Sequence, residues 1–224
     1  MTTIEISVAT ATEAQIAITA GVTRLLATDT AKGLLAPLPA ADVAAVVKAA
    51  KGAAEVSAAG AGLSIDDLAA LVDAGAGTLI VPVPTGDAGA TTISKSGRAL
   101  ASKVKLVAAF APEAGPDFDL LPVAAMAGFS GVRLAAASAL TEAVKIADIA
   151  RFIASARRAK VDVGLSGRLR VVDVGTLLPL RPDHLGFRAA VSEEEDPAKA
   201  LDPARIRAVT AAFAIHAVRA QADE

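Results

Sequence analysis

Short apolar runs bounded by Gly, Pro or charge alternate along this chain with longer stretches in which apolar residues recur every third or fourth position. The first pattern suits buried strands and the second amphipathic helices. In order, the runs predict strands over Ile4–Val8, Thr23–Thr28, Glu55–Ala59, Thr78–Val83, Lys105–Ala111, Gly131–Leu134, Val161–Leu165 and His184–Phe187. Between them, Thr10 and Glu13 have the Thr-x-x-Glu form of a capping box and open a helix through Ala20. Val43, Val46, Val47 and Ala50 share one helical face, and Ser64 with Asp67 caps a helix through Asp73. A weak helix is expected near Ile93–Ser102 and short ones over Leu120–Ala127 and near Val171–Leu178. A longer helix over Thr141–Arg158 carries Ile149, Phe152, Ile153 and Ala156 on one face. Asp202 and Pro203 open the last helix, whose face is Ile206, Val209, Thr210, Phe213 and Ala217.

One design recurs: helix end, glycine, strand. It appears at Ala20-Gly21, Ala74-Gly75 and Ala127-Gly128, whose glycines fall 54 and then 53 residues apart. A further step lands near Pro182, just before the eighth strand. Four quarters of two βα units each give an α/β, single-domain (β/α)8 TIM barrel over residues 1–224. An open doubly wound sheet is the alternative. The first strand is not followed by the G-x-G-x-x-G turn of a dinucleotide-binding sheet, which weakens it.

Composition narrows the function classes. A formal charge of −2 and a pI near 5.8 argue against an electrostatic nucleic-acid binder. There is no Cys, so no disulfide or thiolate metal site; the two histidines, His184 and His216, are too far apart for a helical ligand pair, and no metal is expected. Mean hydropathy is high, at +0.52. Yet the longest uncharged stretches, Ala74–Gly86 and Leu120–Val132, are 13 residues, short of the ~20 a membrane helix needs. MTTIEISVAT does not resemble a signal peptide, so the expectation is a soluble, cytoplasmic protein without a membrane partner. Alanine-rich helices with apolar positions on more than one face suggest a homo-oligomer.

In a barrel, chemistry gathers where strands end. The exits offer few reactive groups: Asp29 after strand two, Glu113 after strand five, and Lys32 as the nearest lysine. Exits seven and eight, the usual phosphate corner, supply Ser166, Gly167 and Arg168, then Arg188 and Ala189. Backbone N–H groups beside a helix N-terminus would favour phosphate or a triose phosphate there. Alternatively, Gly167 only turns the chain and the arginines form ion pairs. His184, opening a strand at the opposite end, is expected to be structural.

Val8 with Glu13-Ala14, the EVSA of 55–58, the AFAPEA of 109–114, and DVGLSG followed by DHLGFRAA resemble the (5-formylfuran-3-yl)methyl phosphate synthase family of methanofuran biosynthesis. The resemblance spans nearly the whole chain. It implies a barrel lyase, found in methanogens and methylotrophs, that condenses two glyceraldehyde 3-phosphate molecules without a cofactor. One lysine forms an imine while further Lys and Asp residues move protons. This chain departs from that pattern where it matters. The imine lysine corresponds to Thr28, a second lysine to Ile80, an acid to Ala135, a lysine after strand seven to Arg170, and a glycine to Ala189. Neither Thr nor Arg can form an imine. The resemblance thus implies a silent barrel that binds triose phosphate or phosphate, alone or beside a partner protein of the pathway. The alternative is an active lyase whose lysine has moved, with Lys32 the one strand-exit candidate.

Overall fold

The computed structural model describes residues 2–115 and 117–222. Its strands are β1 (Thr3–Val8), β2 (Arg24–Ala27), β3 (Glu55–Ala59), β4 (Thr78–Val83), β5 (Lys105–Phe110), β6 (Gly131–Ala135), β7 (Asp162–Ser166) and β8 (His184–Phe187). All pair in parallel with their sequence neighbours, and β8 pairs back to β1, so the sheet closes as a TIM barrel. Its helices are α1 (Ala11–Thr19), α2 (Ala40–Ala50), α3 (Ile65–Asp73), α4 (Gly86–Leu100), α5 (Leu120–Met126), α6 (Leu140–Ala143), α7 (Ile146–Arg158), α8 (Asp173–Leu177) and α9 (Pro203–Ala222). Among the described residues no helix is long and apolar enough to cross a membrane.

The cap signals act locally. Ser64 and Asp67 form a complete capping box at α3. At α1 only half of the box forms: Thr10 Oγ1 accepts from the Glu13 N–H at 3.2 Å, while the Glu13 carboxylate accepts from Ala9 N–H at 2.7 Å. The repeated glycines end α1, α3 and α5 in the left-handed conformation, with φ of 87°, 95° and 85°. At the fourth step Arg181 adopts it instead, with φ 57°.

Three helices differ from expectation. The weak helix near Ile93–Ser102 is the C-terminal part of the fifteen-residue α4, which begins at Gly86. The helix expected over Thr141–Arg158 is two, because Val144 is buried in an extended conformation between α6 and α7. On α9, Ile206, Val209, Ala212 and Phe213 are buried, but Thr210 is exposed and donates its hydroxyl to Ile206 O at 3.0 Å. The side chain of Ala217 lies outside the described residues.

Strand periodicity divides the core in two. One set of alternate residues, such as Ile6, Val8, Leu25, Ala27, Leu79 and Leu165, packs under the helices. The other set fills the barrel. Leu26, Ala59, Ile80, Val107, Ala109 and Ala135 make an apolar cluster of their own. The barrel also holds an Arg133–Glu5 ion pair at 2.6 Å, both side chains 1% exposed. His184 is buried as well, and a Cβ on Gly164 would stand 2.1 Å from its Nε2, so that glycine makes room for the imidazole. Burial, then the Arg133 charge, pushes the His184 pKa down to about 3, which leaves the ring neutral. The structural role expected of His184 is its position here.

Large apolar side chains also stand outside. Met126, Val172 and Ile215 are exposed, on α5, just before α8 and on α9. An oligomer of this barrel would draw on surfaces of this kind.

Candidate functional site

A cavity of about 120 Å³ opens at the C-terminal ends of the strands, on the side formed by β1, β2, β6, β7 and β8. Gly167, Arg168, Arg188 and Ala189 line it, bringing together four of the five residues expected of the phosphate corner. The fifth, Ser166, is buried beneath, its Oγ donating to Leu134 O at 3.4 Å.

The two arginines differ. Arg188 is buried and grips Glu13 with both terminal nitrogens, at 2.8 and 2.9 Å. Its Nε donates to Pro197 O, Nη1 also to Ser7 O, and Nη2 also to Lys199 O. Every N–H of the guanidinium is used within the protein, so this side chain braces the β8 exit and the loop behind it. Arg168, in contrast, is exposed and has no hydrogen-bond or ion-pair partner among the described residues. Its φ of 38° is left-handed, an uncommon conformation for a side chain of this size. Gly167 explains the shape of the turn. With φ 132°, it lies so close to the β6 exit that a Cβ would meet Ala136 Cβ at 2.6 Å.

Backbone N–H groups of Gly167, Arg168, Arg188 and Ala189 donate to no acceptor among the described residues. The helix expected just beyond adds little to them. α8 has five residues, and Asp173 in its first turn already accepts the Arg170 N–H at 2.8 Å. The free polar groups of the corner are therefore loop N–H groups and one guanidinium. Two hydroxyls face them across the cavity, from Ser7 and Thr30, and neither has a hydrogen-bond partner among the described residues. Sequence reasoning missed both, because isolated Ser and Thr at strand ends carry no signal apart from their register.

Of the positions that the family resemblance makes catalytic, Thr28 borders this cavity and Ile80 and Ala135 do not. Ile80 and Ala135 belong to the apolar cluster inside the barrel. Thr28 lines the cavity, but its Oγ1 donates to Ala36 O at 2.7 Å and, more weakly, to Leu34 O at 3.4 Å. Among the described residues no Lys, Asp or Glu lines the cavity. Lys32 pairs with Asp29 at 2.9 Å, its side chain 77% exposed and outside the cavity lining; the ammonium beside Asp29 holds that carboxyl below its usual range. Glu113 accepts from Ala137 N–H at 2.8 Å and so pins the β6 exit loop. Arg170 pairs with Glu142 and Asp173. Among the described residues no three His, Asp or Glu side chains come together as a metal site.

Comparison with known proteins bears on this geometry. Among solved structures, 3-hexulose-6-phosphate synthase from Salmonella typhimurium superposes with a TM-score of 0.69 at 18% identity, covering 96% of this chain and 99% of that one. Phosphoribosyl anthranilate isomerase from Thermus thermophilus gives 0.69 at 15% identity, over 95% and 98%. These likenesses concern the fold. A Methylorubrum extorquens protein described as a candidate (5-formylfuran-3-yl)methyl phosphate synthase is 31% identical over 214 residues, covering 93% of this chain and 88% of its own. The sequence pattern of 4-HFC-P synthase matches residues 5–210, and the chain belongs to that family.

Proposed function

We propose that this protein serves the methanofuran-forming pathway of its family as a barrel that binds a small phosphate ester without the imine chemistry of a lyase. One observation carries the reading: the three positions that would hold two lysines and an acid are Thr28, Ile80 and Ala135, and among the described residues no amine and no carboxylate lines the cavity beside them. Nucleophile and proton relay are missing together. Loss of one group can be offset by a neighbour, whereas loss of the set leaves binding and proximity alone.

The phosphate would sit on the free N–H groups of Gly167, Arg168, Arg188 and Ala189, with the Arg168 guanidinium above it. A hydroxyl or carbonyl of the same ligand would meet Ser7 and Thr30. In the second reading Lys32 forms the imine. Against it stand the exposure of that ammonium, its pairing with Asp29 and its place outside the cavity.

The deciding experiment is incubation with glyceraldehyde 3-phosphate, borohydride reduction and intact-mass measurement. The expected result is unmodified protein and no furan absorbance, with triose phosphate still bound before reduction. A reduced adduct mapping to Lys32, together with furan product, would restore the lyase.

A further inference from the structure

We propose that Glu113 is a positioning residue of the phosphate corner: acting through the β6 exit loop, it aims the backbone N–H groups of Gly167 and Arg168 into the cavity. The inference rests on the phosphate reading above and adds what holds that site in shape.

The two N–H groups belong to planar trans peptides, in which C=O and N–H point opposite ways. Both carbonyl ends are held by the β6 exit loop. Ser166 O accepts from Ala136 N–H at 3.1 Å, and Gly167 O accepts from Leu140 N–H at 2.9 Å. With their oxygens turned onto that loop, the peptides present the N–H groups of Gly167 and Arg168 on the far side, toward the cavity that both residues line. Packing fixes the same contact, since a Cβ on Gly167 would stand 2.8 Å from Ala136 O and 3.0 Å from Ser138 O. The loop therefore sets the direction of the donors.

Glu113 holds the loop between those two bonds. Its Oε1 accepts from Ala137 N–H at 2.8 Å and, more weakly, from Ser138 N–H at 3.4 Å and the Ser138 hydroxyl at 3.5 Å. Residues 136–139 lie outside any helix or strand, so no ladder or helical turn does this work for them. The carboxylate stands on a single 3-10 turn, Pro112–Ala114, whose buried proline restricts the backbone. It is exposed and outside the cavity lining, so it shapes the site without touching a ligand. Its charge alone would repel an anion, whereas its hydrogen bonds favour one. The two effects have opposite signs, and substitution separates them.

The test is titration of the full chain with inorganic phosphate, followed by the amide NMR signals of Gly167 and Arg168. In the parent chain both signals should move on binding. Glu113→Ala should weaken binding by about tenfold, and should displace both signals before any phosphate is added. Glu113→Gln keeps the reach and an acceptor oxygen but not the charge, and should bind within about twofold of the parent. Glu113→Asp keeps the charge but is one methylene short, and should behave as the alanine variant does. Tighter binding in Glu113→Ala, or unchanged affinity and amide signals in both Glu113→Ala and Glu113→Asp, would overturn the positioning role. Signals of Gly167 and Arg168 that ignore phosphate in the parent chain would instead overturn the phosphate site itself, and the inference with it.

Discussion

Arg188 shows how a position at a strand exit leaves open which partners a side chain takes. It lines the cavity, but its guanidinium is enclosed by Glu13 and the carbonyls of Ser7, Pro197 and Lys199. Both members of the pair are largely buried, at 7% and 11% side-chain exposure. Removing one member of such a pair strands the other's charge, so Arg188→Ala is expected to cost about 3–5 kcal/mol of folding stability. Arg188→Lys should recover little, because a single ammonium cannot reproduce a two-pronged grip and three carbonyl contacts. Urea unfolding of both variants measures this. A midpoint equal to that of the parent chain would show that the pair contributes nothing. Arg168→Ala, by contrast, breaks no hydrogen bond or ion pair among the described residues. The two arginines were indistinguishable in sequence because the difference is made by Glu13, 175 residues away in the chain.

At the scale of elements, the strands and the barrel order were legible because each strand is a short apolar run closed by Gly, Pro or charge. The glycine repeat marks the same left-handed helix end three times. Lys51 and Lys160, which adopt it after α2 and α7, give no such mark. The N-terminal part of α4 was not legible: Gly86 and Gly89 there, like Gly97 further along, lower the helix's intrinsic helicity by about 1 kcal/mol each. Packing explains the last of these. A Cβ on Gly97 would lie 2.3 Å from Ala127 O, at the end of α5, so the glycine lets the two helices touch. Gly97→Ala therefore tests which effect wins. In an exposed helix the change would stabilise by about 1 kcal/mol; here the clash with backbone should reverse the sign and cost about 1–3 kcal/mol. A rise in the melting temperature would show that α5 moves aside freely. The β2–α2 loop was illegible for a different reason. Its sequence, DTAKGLLAPLP, has no periodicity, and the packing of Leu34 and Leu35 exists only once the barrel supplies the surface beneath them.

For the whole molecule, the charges enclosed by the barrel set its tolerance of acid. Burial works against ionisation of Glu5, but Arg133 at 2.6 Å, with Arg24, outweighs it and holds the carboxyl below its usual range. The same enclosure keeps His184 neutral, with a pKa of about 3. In the unfolded chain that imidazole titrates at about 6.5. Between those values only the unfolded state takes up the proton, so stability is complete above about pH 6.5 and is lost as pH falls. The slope in the middle of this window approaches 1.4 kcal/mol per pH unit. The depressed pKa of Glu5 acts in the same direction at lower pH, below the usual carboxylate value, so the early loss belongs to the histidine. The expected outcome is a fall of about 2 kcal/mol in unfolding free energy between pH 6.5 and pH 5, read from urea titrations. His184→Gln removes the titrating ring and should flatten that interval while leaving the loss below pH 4.5 in place. A parent chain equally stable at pH 7 and pH 5 would mean that the imidazole accepts its proton inside the folded barrel, against both burial and the Arg133 charge.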